Sequence, residues 1–120
     1  MIKDFVDVPE HLVQERWTTQ DLLWVRGRST GGILIGGTLN EAPEIFGTAF
    51  LDPLTSMADL LLPLTSIEYL EWGDLHIEQD FNVMKQWSPI QNMKSNSKYA
   101  NVLTSGDLND NRVQFWEPLK

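Results

Sequence analysis

Leu22-Leu23-Trp24-Val25-Arg26-Gly27-Arg28-Ser29-Thr30-Gly31-Gly32-Ile33-Leu34-Ile35 decides the architecture of this chain. Its first four residues are a continuous apolar run, the pattern of a strand buried on both faces. The turn-forming stretch Gly27 to Gly32 follows at once, and Ile33 to Leu39 then read as a helix ending near Asn40 to Pro43. Two further strand candidates are Phe46-Gly47-Thr48-Ala49-Phe50-Leu51 and Tyr99-Ala100-Asn101-Val102-Leu103-Thr104. Strands alternating with helices predict an α/β layer with a mostly parallel sheet. Three strands are few for such a sheet, so both edges should lie open and the faces should be only partly covered.

Working outward, Ile2, Phe5, Val6, Leu12 and Val13 keep helical spacing, which predicts an amphipathic first helix. Pro9 should kink that helix or sit in the first turn of a shorter one. In the middle, Leu60 to Leu64 contain a proline breaker and read as a loop with short helical turns. Glu68 to Trp72 predict a short helix stopped by Gly73, and Ile77 to Trp87 a further helix closed by Ser88-Pro89. Asn92 to Lys98 form a polar loop.

Gly27-Arg28-Ser29-Thr30-Gly31 matches the Gly-x-Ser-x-Gly pattern of a nucleophile elbow. Such a turn from strand to helix is so tight that small residues must flank the serine. It lifts the hydroxyl above the sheet and points the N–H of the next residue, Thr30, at a developing oxyanion. A glycine turn that only permits close packing fits the pentapeptide as well. Asp110 follows a strand candidate and comes after Ser29, the chain order in which this hydrolase class places its acid. Asp107, Asn109, Asp110 and Asn111 are also simply turn formers.

His11 and His76 are the only histidines, and both precede Asp110. Neither suits the serine–aspartate–histidine order, so both read as surface or helix-flank residues, and the usable catalytic histidine is absent from the chain. Without a base, a serine hydroxyl is a poor nucleophile near neutral pH. Glu68, Glu71, Asp74, Glu78 and Asp80 read as a solvated acidic face rather than a metal or paired-carboxylate site. No phosphate loop or zinc spacing occurs, so no cofactor or metal is expected.

Seventeen acidic residues against nine basic ones give a net charge of −8, which argues against a nucleic-acid partner. There is no cysteine, which excludes disulfides and thiol chemistry and is compatible with a reducing compartment. No apolar run approaches the roughly 18 residues of a membrane span, and Met1 to Phe5 lack a secretory pattern. The cytoplasm is the expected address. Five tryptophans in 120 residues must be closed over by the fold or mark a surface that meets another domain.

With these residues in view, the chain resembles the peptidase domain of the prolyl oligopeptidase family, most closely its oligopeptidase B branch. The resemblance lies in Val25 to Gly36, Leu39-Asn40 to Phe46, Phe50-Leu51-Asp52 with Met57, Leu62 to Thr65, Glu68 to Gly73, and Leu108 to Pro118. It implies an α/β-hydrolase fold, with Ser29 as nucleophile and Asp110 as triad acid. It further implies hydrolysis of short peptides, after basic residues in the oligopeptidase B branch. On this basis residues 1–120 are expected to be a single partial peptidase domain, without the first strands, the propeller and the histidine segment of the family, and inactive alone. Self-association or a complementing chain would then be expected. A non-catalytic interaction module on the same scaffold is the alternative. Asp107 stands where the family usually has glycine, and like-charge repulsion from it should raise the pKa of Asp110.

Overall fold

The computed structural model describes residues 1–53, 56–59 and 67–120. The expected loop at Leu60 to Leu64 lies outside the described residues. Helix α1 spans Ile2–Gln14, strand β1 Trp24–Arg28, helix α2 Thr30–Glu41 and strand β2 Thr48–Asp52. A short helix α3 (Tyr69–Trp72), helix α4 (Glu78–Trp87) and strand β3 (Asn101–Thr104) follow. The strands form a parallel sheet in the order β1-β2-β3, as the α/β reading requires.

One face of the sheet is covered. Residues of a strand point alternately to opposite faces. Val25, Ala49 and Leu51 pack with Val6 of α1 and Ile35 and Leu39 of α2, and with Ile45 and Phe46 before β2. Helix α2 is apolar on more than one side, because Ile33 joins a second cluster with Met57, Leu75 and Met84, flanked by Trp72, Phe81 and Trp87. Gly37 lets the helices approach closely: a Cβ there would lie 2.6 Å from Ile2 Cδ1.

The other face is bare, and this shifts the first strand from its expected place. The apolar run at Leu22 predicts a strand buried on both sides, yet β1 begins at Trp24, whose side chain is exposed. Leu22 ends a 3-10 turn and is exposed as well. Trp24, Arg26 and Arg28 share the uncovered face, where Trp24 meets Phe50 edge-on at 5.9 Å. Strand β3 is an edge, with Val102 and Leu103 exposed.

Pro9 neither shortens α1 nor moves to its first turn. The helix runs through it to Gln14 with the proline buried. The lost backbone donor is offset by placing an apolar ring on the packed side of the helix. Helix α3 stops at Gly73, as expected, and α4 closes at Ser88. No described helix is long and apolar enough to cross a membrane.

Candidate active site

Ser29 sits between the last residue of β1 and the first of α2. Its backbone has φ 54° and ψ −125°, a conformation that costs a non-glycine residue on the order of 1–3 kcal/mol. Two backbone bonds hold it there: its N–H donates to the Asp52 carbonyl (2.9 Å), and its own carbonyl accepts from the Gly32 N–H (2.8 Å). Close approach explains two of the neighbouring glycines. A Cβ at Gly27 would lie 2.2 Å from the Gly31 carbonyl oxygen, and one at Gly32 would lie 2.1 Å from that of Pro53. Gly31, the second glycine of the pattern, is under no such demand, since among the described residues nothing lies within 4 Å of its Cβ position. The steric role falls on Gly32 instead.

Thr30 is the first residue of α2, so its N–H belongs to the donors that a helix start leaves without an intrahelical acceptor. The start of a helix also favours nearby negative charge.

An open cleft of about 800 Å³ lies where the three strands end, lined by Arg28, Ser29, Asp52, Ser105, Asp107, Asp110 and Arg112 among others. It brings together Ser29 and Asp110, which are far apart in sequence. Parallel sheets commonly hold their ligands outside the carboxyl ends of their strands.

Asp110 is fixed by its own loop. Its Oδ1 accepts the N–H groups of Arg112 (2.8 Å) and Val113 (3.0 Å). These bonds, Val113's above Arg112's, hold the carboxyl below the usual carboxylate range, and the Arg112 charge adds to them. The upward shift expected from Asp107 is therefore overturned. Two backbone donors aimed at the carboxylate outweigh one acidic neighbour, whose own Oδ1 is engaged by the Asn109 N–H at 2.8 Å. Arg112 also reaches Glu68 at 3.4 Å, linking this loop to the segment before α3.

Asp52 belongs to the cleft too and escaped the sequence reading as a site residue. Its carboxylate accepts the Ser105 hydroxyl (2.5 Å) and an Arg26 N–H (3.2 Å), and these hold it below its ordinary pKa, Ser105 first. Its position one residue beyond an apolar strand run was the available signal.

The histidines lie elsewhere. His11 is exposed in the last turn of α1. His76 is exposed and meets Asp74 at 2.9 Å and the Tyr69 hydroxyl at 3.2 Å through Nδ1. Neither lines the cleft. In the acidic cluster, Glu68 accepts the Trp72 indole N–H (2.7 Å) and Asp80 the Asp74 N–H (2.9 Å), so these carboxylates tie local structure together.

A carboxyl whose folded pKa lies below its unfolded value of about 4 stabilises the fold above that value, and the gain is lost as pH falls through the lower folded value. Asp52 and Asp110 both belong to this class. Urea unfolding between pH 7 and pH 2 should therefore show the midpoint dropping below about pH 4. Asp110→Asn should remove part of that drop; an unchanged profile would contradict the hold that Arg112 and Val113 exert on Asp110.

Comparison with known proteins identifies the family to which this fold belongs. The family model described as the prolyl oligopeptidase family matches residues 1–120. Protease 2 of Moraxella lacunata is 36% identical over 98% of this chain and 18% of its own length. The structure of oligopeptidase B from Leishmania major superposes with a TM-score of 0.87 at 35% identity, over 97% of this chain and 17% of that one. Oligopeptidase B from Trypanosoma brucei, in a closed form with covalently bound antipain, gives a TM-score of 0.80 at 37% identity, again over 97% and 17%. The chain thus spans less than a fifth of the length of these relatives. It belongs to the prolyl oligopeptidase family.

Proposed function

We propose that this chain contributes the nucleophile and the acid of a serine peptidase acting on short peptides. One observation carries the reading: Ser29, held in a strained turn at the end of β1, opens onto the same cleft as Asp110. Ser29 Oγ attacks the scissile carbonyl, and the Thr30 N–H at the start of α2 stabilises the resulting oxyanion. A histidine from outside residues 1–120, in a further stretch of the protein or a complementing chain, accepts the serine proton and passes it to the leaving amine. Asp110 orients that histidine and stabilises its charged form. The placement of His11 and His76 away from the cleft supports an external base. The Trypanosoma brucei relative carries covalently bound antipain, and a covalent adduct is what an activated serine would form here.

The test places these 120 residues in the aligned position of Leishmania major oligopeptidase B, so that the relative supplies the rest of the site. A fluorophosphonate probe read by intact mass should label Ser29 stoichiometrically, and Ser29→Ala should abolish the label. Asp110→Asn should slow peptide hydrolysis by roughly 10⁴-fold. The isolated chain should show neither labelling nor hydrolysis of a basic dipeptide reporter above background. Labelling of the isolated chain would overturn the external base. A folded chimera left unlabelled would overturn the catalytic reading and favour an interaction module, which the bare sheet face around Trp24 and Leu103 would serve.

A further inference from the structure

The loop that carries Asp110 leaves β3 at Ser105 and returns to the body of the protein at Glu117. The near end is tied to the last residues of β2 and the far end to Ser56 beyond it. At the near end, the Ser105 N–H donates to the Leu51 carbonyl (3.0 Å) and its hydroxyl to Asp52 Oδ1 (2.5 Å). At the far end, Glu117 Oε2 accepts the Ser56 N–H (2.9 Å). Asp52 occupies a particular place in this arrangement. Its carbonyl receives the Ser29 N–H, while its carboxylate holds Ser105 on one side and Arg26 on the other. A single residue on the central strand therefore bonds the nucleophile turn through its backbone and the acid loop through its side chain.

We propose that Asp52 is a positioning residue, whose carboxylate fixes the start of the acid loop through Ser105 and so sets Asp110 relative to Ser29. The proposal rests on the reading of Asp110 as the acid, and it adds a residue that acts through Ser105 rather than on the reacting atoms. Its chemistry is that of a charge-assisted hydrogen bond. A hydroxyl donating to a carboxylate is short and stronger than a neutral pair, and Arg26 keeps that carboxylate ionised and oriented. In a catalytic arrangement, displacements near 1 Å far from the chemistry can cost about a hundredfold in rate, so an anchor at the root of the loop is consequential.

The experiment uses the 120-residue chain labelled with ¹⁵N and ¹³C, comparing wild type with Asp52→Ala and Ser105→Ala. Two readouts sit on the acid loop: the pH titration of the Asp110 side-chain carboxyl carbon, and amide exchange at Arg112 and Val113. In both variants the Asp110 midpoint should rise toward the ordinary carboxylate range. Exchange at Arg112 and Val113 should quicken about tenfold, while amides of α2 keep their rates. A purely structural loss would quicken exchange throughout and would not single out Asp110. An Asp110 midpoint and loop exchange unchanged in both variants would overturn the proposal. Should Asp52→Ala fail to fold, Ser105→Ala decides alone, because it removes one exposed hydroxyl and leaves the Arg26–Asp52 pair in place. These readouts do not depend on Ser29 reacting. An unlabelled chimera would defeat the peptidase reading without touching them, and an unmoved Asp110 would defeat the role of Asp52 without touching that reading.

Discussion

Gly32→Ala should lower the stability of this chain by on the order of 3 kcal/mol, and Gly31→Ala, one residue away, should not lower it at all. The contrast follows from what each added methyl would meet. At position 32 it would lie 2.1 Å from the carbonyl oxygen of Pro53 and 3.2 Å from its carbonyl carbon. Both belong to backbone that cannot swing aside as a long side chain would. Overpacking into such a contact typically costs about 1–3 kcal/mol, and a backbone-on-backbone clash belongs at the top of that range. Against a total stability of about 5–15 kcal/mol, that is a large share. At position 31 the methyl would enter open space among the described residues, inside a helix, where alanine is favoured over glycine by about 0.5–1 kcal/mol. Urea unfolding followed by circular dichroism separates the two. Equal effects would mean that α2 does not lie against the chain leaving β2 as described.

Glu117→Ala should cost about 1–3 kcal/mol, the range for leaving a buried donor without its acceptor. Glu117 is only 1% exposed. One carboxylate oxygen accepts the Ser56 N–H, and the other meets the Lys120 ammonium, which also meets Asp59. Truncation leaves a buried N–H without its acceptor and a half-buried ammonium with one partner fewer. Glu117→Gln should cost less, since an amide oxygen can still accept from Ser56 while Lys120 keeps Asp59. Denaturant titration checks both. A loss under about 1 kcal/mol for Glu117→Ala would mean that water replaces the carboxylate and the site is more open than its burial indicates.

Local pattern revealed the strand–turn–helix at Ser29 because the close approach of Gly27 to Gly31 acts within a few residues, whereas the demand on Gly32 comes from distant Pro53. The parallel sheet was legible because alternation of strand and helix leaves few other layers. Burial was less so. Leu22 to Val25 looks like a doubly buried strand, but which face of a strand is covered depends on helices distant in sequence, and here β1 starts at Trp24 with one face open. From sequence, Pro9 fits either a kink or the first turn of a shorter helix; the structure has it buried within α1, beyond the first turn. Asp52 and Glu117 were invisible as a pair of anchors because their partners, Ser105 and Ser56, are 53 and 61 residues away. The pKa of Asp110 was misjudged for a related reason: the nearby acid is obvious in the sequence, whereas the direction of two N–H groups is known only from the folded loop.

The level registration of the three strands has a consequence for how this protein can change length. Trp24, Thr48 and Asn101 stand abreast, and so do Gly27, Leu51 and Thr104. Arg28, Asp52 and Ser105 therefore stand at nearly one height, where the strands open onto the cleft. Inserting or deleting one residue within β2 or β3 would displace an exit by roughly 3.3 Å and turn the following side chains to the opposite face. Either change exceeds what a hydrogen bond can absorb. Between the strands the chain can lengthen at small entropic cost, since doubling a loop adds only about 0.6 kcal/mol. Drift in length among descendants of this sequence should accordingly be confined to the connections, with the strands keeping a constant count.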